Sequence, residues 1–196
     1  MSEASGRLRW GTILHFFHVK HWLAALWLFA IACAMPTAAD GLFSELKIGV
    51  LDHDTPDLWS GFRREQPSVD INIEAQLSPS VTFFGGAIRP AVGASINTQG
   101  ETSHAYIDAR WQYETADGFF VGLGVGAAIH DGNLDASDPN RKALGSRLLF
   151  HIPAELGYRL DEQNSLSVYF EHFSNGYTQD ENEGMDRIGV RYGYRF

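Results

Sequence analysis

Cysteine is nearly absent from this 196-residue chain, because Cys33 is its only one. Cys33 lies in the uncharged apolar run Trp22–Ala34, which follows Arg7, Arg9 and Lys20. A basic segment, a short apolar run and the small residues of PTAAD are typical of a signal peptide. The run is shorter than the roughly 20 residues that a transmembrane helix needs. We therefore predict a cleavable leader over 1–39 and a mature domain over 40–196, with no disulfide.

The cleavage position has an alternative, since Ala34 also ends a small-x-small triplet. Lipidation of Cys33 is the weaker alternative. A lipoprotein cysteine usually has a large aliphatic residue three positions before it, and here that position holds the small Ala30. Beyond the leader, the chain has no apolar run long enough for a membrane helix.

Positive charge is also scarce. The chain has 15 Lys and Arg against 24 Asp and Glu, and removing the leader lowers the formal net charge from −9 to −11. Nucleic-acid binding calls for a clustered basic surface, so this class of partner is excluded.

Alternation of apolar and polar residues fills most of the remaining chain. In SVDINIEAQLS the residues Val69, Ile71, Ile73, Ala75 and Leu77 form one face, and polar residues separate them. A period of two predicts strands with one apolar face. Counting similar segments predicts eight strands: 44–53, 69–77, 86–98, 104–113, 119–130, 144–160, 165–174 and 186–196.

Short links such as SPS, ADG and DEQN alternate with long loops in this order of strands. An even number of strands of about 10 residues, with short turns at one end and long loops at the other, predicts an outer-membrane β-barrel. A soluble β-sandwich has the same alternation and is the alternative fold. Charged residues in mid-strand and the terminal aromatic Phe196 favour the eight-stranded antiparallel transmembrane barrel.

The polar faces of the late strands predict an ion network in the lumen. We assign to it, without chemical roles, Asp108, Arg147, His151, Glu155, Arg159, Glu171, Arg187, Arg191 and Arg195. The aspartates of DGNLDASD lack the spacing of a calcium loop and are interpreted as a solvated loop.

Three polar residues fall on the apolar face instead. His172 and Ser174 share the parity of Phe170, and Asp186 shares that of Ile188. Residues two apart on a strand point the same way, about 6.5–7 Å apart, so the imidazole can reach the serine. The loop of residues 175–184 would return Asp186 beside them. Base, nucleophile and carboxylate are the parts of a hydrolytic triad, and the membrane boundary lowers the cost of their charge.

HFSNG, NEGMD and the ending RYGYRF resemble the lipid A 3-O-deacylases of the PagL type. That family carries H-x-S-N followed by N-x-G-x-(E/D), and Asp186 stands where its best-known members have glutamate. The resemblance is tightest over the last 25 or so residues and looser through KIGVLDHD and DINIEAQL.

The resemblance implies hydrolysis of the ester that links the 3-hydroxyacyl chain to position 3 of lipid A, with no metal or other cofactor. It assigns nucleophile, base and orienting carboxylate to Ser174, His172 and Asp186, and the oxyanion contacts to Asn175, Gly176 and Asn182. The implied partners are lipopolysaccharide and the outer membrane, and a homodimer is left open.

Two other functions remain to be separated by experiment. The chain could be a non-enzymatic structural or binding barrel, with His172 and Tyr192 as interface residues, Asn175–Gly176 as a turn and Asp186 as a strand start. It could also be an esterase that acts on phospholipids.

Overall fold

The computed structural model describes residues 41–196, which form nine antiparallel strands. The predicted leader over 1–39 lies outside the described residues and stays a prediction. The strands are β1 Phe43–Asp52, β2 Val69–Leu77, β3 Val81–Phe83, β4 Gly86–Asn97, β5 His104–Glu114, β6 Phe119–His130, β7 Leu148–Arg159, β8 Asn164–Ser174 and β9 Met185–Arg195. Among residues 41–196, no helix is long and apolar enough to cross a membrane.

Eight of the strands close into a barrel, so the predicted fold is confirmed. Each of β4 to β8 pairs with the strand that follows it in the chain, β9 pairs with β1, and β1 pairs with β2. Pairing of β2 with β4 completes the ring, and β3 adds only a short hairpin to β4. The predicted short SPS link joins β2 to β3, so the chain between the wall strands β2 and β4 is longer than SPS and includes β3. Closure leaves the eight wall strands without an open edge.

The two faces of the wall differ as the alternation predicts. Outward apolar side chains remain exposed, among them Leu123, Leu156 and Val168, which retain 51%, 64% and 51% of their accessible surface. A continuous exposed apolar wall of this kind suits lipid contact. The lumen instead contains buried charged and polar side chains.

The luminal charges are paired, as burial in a low-dielectric interior requires. Lys47 Nζ lies 2.8 Å from Glu155, and Arg191 lies 3.1 Å from Glu74. Most of the predicted network is found there. Arg147 is the exception: it is exposed and donates to the carbonyl oxygens of His130 and Gly132. It precedes β7, so the strand alternation from which we predicted its direction does not apply to it.

The predicted seventh strand also began too early. β7 starts at Leu148, and Leu144 lies in the preceding loop. Leu144 is 1% exposed because it packs in a buried apolar cluster with Leu149, Phe173 and Met185. This cluster forms at the ends of β8 and β9 that carry the candidate site, and it buries Leu144 instead of leaving it on the outer face of a strand.

Candidate active site

Facing ends of β8 and β9 bring the three predicted reactive groups together. His172 pairs directly with Asp186 in the ladder, and Ser174 ends β8. His172 Nδ1 lies 2.7 Å from Asp186 Oδ1, and His172 Nε2 lies 3.0 Å from Ser174 Oγ. The imidazole therefore bridges a carboxylate and a hydroxyl, each at hydrogen-bond distance.

The strand register puts these groups on the outside of the wall. Phe170 pairs with Ile188, and Val168 pairs with Val190; the two valines are more than half exposed. His172 and Asp186 follow in the same alternation, yet they are only 4% and 0% exposed. A cover other than the barrel wall must therefore bury them.

The loop between β1 and β2 supplies most of that cover. The indole of Trp59 stacks on the imidazole of His172, with the ring centroids 4.3 Å apart and the planes 10° from parallel. The backbone N–H of Ser60 donates to Asp186 Oδ2, and the N–H of Thr55 donates to the Asp186 carbonyl at 2.8 Å. Both carboxylate oxygens of Asp186 are thus engaged, one by the histidine and one by the loop.

A buried polar cluster fixes the base of this loop. His53 Nδ1 lies 2.8 Å from Asp70, and His53 Nε2 lies 2.9 Å from Glu65. Burial lowers the pKa of His53, but the hydrogen bonds to Asp70 and Glu65 raise it above its usual value. Burial raises the pKa of Glu65, but hydrogen bonds with His53 and Thr102 bring it down to about 2. Opposite charges therefore meet beneath the loop.

We expect the free energy of unfolding to depend on pH through His53. Because the pKa of His53 is higher in the folded protein, its contribution to stability is fully present below the unfolded pKa of about 6.5. That contribution is lost as pH rises through the folded pKa. His53→Gln should lower the free energy of unfolding by about 1–3 kcal/mol at pH 5.5 and by less at pH 9. Urea titrations in detergent at both pH values measure this. An equal loss at the two pH values would mean that folding does not raise the pKa of His53. The Glu65 contribution is fully present above its ordinary pKa of 4.5 and is lost as pH falls from there through about 2, below the range of this experiment.

The predicted oxyanion residues lie at the same end of the barrel, and they differ in whether their N–H groups already donate a hydrogen bond. The Asn175 N–H donates to Asn182 Oδ1 at 2.9 Å, so it is already engaged. The Asn175 side chain donates to the carbonyls of Leu144 and Glu181 and braces the loop. Gly176 has a positive φ of 63°. Within residues 41–196, the Gly176 N–H and Asn182 Nδ2 donate no hydrogen bond.

Glu183, which could compete with Asp186 for the histidine, is occupied elsewhere. Its carboxylate accepts hydrogen bonds from Arg64 at 3.0 and 2.6 Å and from the Ala143 N–H at 2.8 Å. It ties the loop before β9 to the two loops that contain Arg64 and Ala143. Of these two carboxylates, Asp186 is therefore the one that contacts His172.

Gly184 lies close to both His172 and Ser174. Its φ is +62°, and a Cβ there would lie 3.2 Å from His172 Cε1 and 3.4 Å from Ser174 Cβ. Gly184→Ala should thus push against both side chains, and we expect hydrolytic turnover to fall about tenfold or more. Gly100→Ala is the matched control, because Gly100 has φ +83° and open space around its Cβ position. Both variants should lose about 1–2 kcal/mol of stability from the left-handed backbone. Equal activities of the two variants would contradict this packing.

Two side-chain clusters among the described residues have metal-ligand types. His104, His151 and Glu171 meet in the lumen, and His53, Glu65 and Glu101 meet under the loop. A metal on His104 Nε2 would require the proton on Nδ1, but Nδ1 faces a guanidinium nitrogen of Arg187, which can only donate. The second cluster is satisfied by its own hydrogen bonds and by Arg141. We interpret both as parts of ion networks.

Trp59 and Ser60 were missed by the sequence analysis. They stand in DLWSGF, where no periodicity gives a direction to a side chain. The position of the loop could have been predicted from the fold. Closing the barrel pairs β1 with β9 and puts Asp52 opposite Ile188. The chain that leaves β1 must then emerge beside the start of β9, where Asp186 lies.

The chain is similar to known proteins over most of its length. The family model described as Lipid A 3-O-deacylase (PagL) matches residues 55–195. The chain is 27% identical to the lipid A deacylase PagL of Bordetella bronchiseptica over 177 residues, which cover 85% of this chain and 91% of that protein. The crystal structure of the outer membrane enzyme PagL is similar with a TM-score of 0.59 and 17% identity. That match covers 78% of this chain and 100% of the other.

Proposed function

The chain belongs to the lipid A 3-O-deacylase (PagL) family, and from this premise we propose that Ser174, His172 and Asp186 form its catalytic triad. Membership makes the protein an ester hydrolase of the outer membrane, with lipid A as the substrate. The proposal adds which residues perform the reaction. The observation that carries it is the unbroken chain of hydrogen bonds from Asp186 through His172 to Ser174.

The distances support a definite placing of protons before reaction. His172 Nδ1–H donates to Asp186 Oδ1, which leaves Nε2 as the acceptor for the Ser174 hydroxyl. As Ser174 Oγ attacks the ester carbonyl of the 3-hydroxyacyl chain, its proton passes to Nε2. The imidazolium then gives this proton to the sugar oxygen, which leaves, and the acyl group stays on Ser174. Water, deprotonated by His172, then attacks the acyl carbonyl, the ester bond to Ser174 Oγ breaks, and the proton on Nε2 returns to Oγ as the free 3-hydroxy fatty acid leaves.

Two donors near Ser174 are suited to the oxyanion. The Gly176 N–H and Asn182 Nδ2 are the predicted contacts that have no acceptor of their own among the described residues. Each donor to an oxyanion is commonly worth about 3–4 kcal/mol of transition-state stabilisation. The Asn175 N–H is held by Asn182 Oδ1, so we propose that Asn175 positions Asn182 and the loop instead of donating directly.

The position of the triad suits a substrate that does not leave the membrane. The site lies on the outer wall at the end of the barrel with the long loops. The exposed Phe150 pairs with Ser174, and the exposed Val190 lies farther along the same outer face. A lipid can therefore reach Ser174 laterally, with its acyl chains along the wall. Charged groups cost only about 0–1 kcal/mol near the membrane interface, against about 2–4 kcal/mol for Arg or Lys at its midplane.

Purified protein incubated with lipopolysaccharide tests the function. Mass spectrometry should show lipid A lighter by one 3-hydroxyacyl group, together with free 3-hydroxy fatty acid. Unchanged lipid A would favour the non-enzymatic barrel. Faster fatty-acid release from phosphatidylethanolamine than from lipid A would favour the phospholipid esterase. Cross-linking in detergent and in membranes tests the homodimer separately.

A further inference from the structure

We propose that Trp59 and Ser60, here called the clasp, are positioning residues that hold His172 and Asp186 in their reactive arrangement. The inference rests on the proposed triad and adds a function for the loop between β1 and β2. Trp59 contacts His172 and Ser60 contacts Asp186, whereas the one hydrogen bond of the Ser174 hydroxyl among the described residues is to His172.

Trp59 fixes the plane of the imidazole. Its indole lies nearly parallel to the ring at 4.3 Å, while Trp59 itself is 62% exposed. Because most of its surface is exposed to solvent, Trp59 contributes little to the core of the barrel. One face of its indole nevertheless packs on His172, which is 4% exposed. What it restricts is the rotation of the imidazole about its bond to Cβ. That rotation decides whether Nε2 points at Ser174, because Nδ1 and Nε2 must meet Asp186 and Ser174 in one plane.

Ser60 fixes the carboxylate. Its backbone N–H donates to Asp186 Oδ2, which leaves Oδ1 for His172. The Ser60 hydroxyl is buried and has no hydrogen-bond partner among the described residues, so the main chain alone makes this contact. The side chain of an aspartate is short, and its carboxylate can turn away from the histidine when one oxygen is free. The N–H of Ser60 removes that freedom.

The clasp is held by contacts that are independent of the triad side chains. Asp54 Oδ2 accepts hydrogen bonds from the N–H groups of Arg64 and Glu65, which ties the two ends of the loop together. Lys142 Nζ donates to the carbonyl of Phe62 from the neighbouring loop. The loop is therefore built before substrate arrives, and it can present Trp59 and Ser60 in fixed positions.

Substitutions at Trp59 separate positioning from substrate binding. With lipid A in mixed detergent micelles, Trp59→Ala should lower kcat about 10- to 100-fold and change KM by less than about threefold. Trp59→Phe should recover kcat to within about threefold of wild type, because a flat ring can still stack. Trp59→Leu should not recover it, although leucine is apolar and fills similar space. Leu58→Ala is the matched control: it is an exposed apolar neighbour in the same loop and should leave both constants unchanged.

Ser60 allows a second, independent comparison. Ser60→Ala keeps the backbone donor and should retain the wild-type kcat, whereas Ser60→Pro removes the N–H and should lower kcat about tenfold or more. The rate at which a fluorophosphonate labels Ser174 should fall in step with kcat in Trp59→Ala and Ser60→Pro. This rate measures the reactivity of Ser174 and its activation by His172 in the absence of lipid A.

Several outcomes would overturn the clasp. A Trp59→Ala variant with a higher KM and unchanged kcat would make Trp59 a substrate contact, and equal activities of the Phe and Leu variants would exclude stacking. Inactive wild-type protein would instead refute the proposed function. If wild type is active and the clasp variants are unaffected, only the positioning role of Trp59 and Ser60 is refuted. The Phe and Leu variants keep the loop apolar, so they decide the question even if the alanine variant folds poorly.

Discussion

Ser174→Ala is expected to abolish release of the 3-hydroxyacyl chain, with turnover lowered by about 10⁴-fold or more. The substitution removes the attacking oxygen, and no nearby hydroxyl among the described residues lies in the same relation to His172. Folding should be unaffected, since Ser174 ends β8 and its hydroxyl bonds only the imidazole. The measurement is lipid A mass spectrometry over time, with the heat-modifiable migration of the barrel as the folding check.

Ser167→Ala is the matched control for that experiment. Ser167 lies on the same strand but faces the lumen, where its hydroxyl donates to Glu155 at 2.6 Å. Its removal should cost about 1 kcal/mol of stability and leave turnover near the wild-type value. If Ser174→Ala keeps more than a few per cent of wild-type activity, Ser174 is not the nucleophile.

Asp186→Asn is expected to lower kcat by about 10³- to 10⁴-fold while the barrel stays folded. Asparagine fits the same space, but an amide that donates to Nδ1 selects the imidazole tautomer with its proton on Nε2. That tautomer cannot accept the proton of Ser174. Steady-state kinetics with lipid A in detergent micelles measures the loss, and KM should change little because the carboxylate does not meet the substrate.

Glu183→Gln is the control for the carboxylate assignment. Its partners are Arg64 and the Ala143 N–H, so the change should loosen the loops by about 1 kcal/mol and keep most of the activity. Asp186→Glu should retain activity within about tenfold, since the best-known members of the family have glutamate at this position. Full activity of Asp186→Asn together with loss of activity in Glu183→Gln would assign the orienting role to Glu183.

The sequence was sufficient for the barrel and for the face on which the reactive groups lie. Period-two alternation is a direct consequence of strand geometry, so Phe170, His172 and Ser174 could be assigned to one face before any coordinates existed. The direct pairing of His172 with Asp186 follows from the ladder, once the intervening loop joins two neighbouring strands. The paired luminal charges followed from the same alternation.

Loop conformation set the limit of the sequence analysis. Leu144 and Arg147 were assigned to a strand because they continue its alternation, but the strand begins at Leu148, and each side chain follows its loop. Trp59 and Ser60 were missed for the same reason. Their importance comes from barrel closure, which puts β1 beside β9, and closure is a property of all the strands together.

Covalent labelling of the serine tests the central claim most directly. A long-chain fluorophosphonate reacts with an activated serine by losing fluoride, and peptide mass spectrometry identifies the modified residue. We expect a single adduct on Ser174, which His172→Gln abolishes and which excess lipid A slows. An adduct on another serine such as Ser60, or labelling of Ser174 that persists in His172→Gln, would contradict a triad on the outer wall of the barrel.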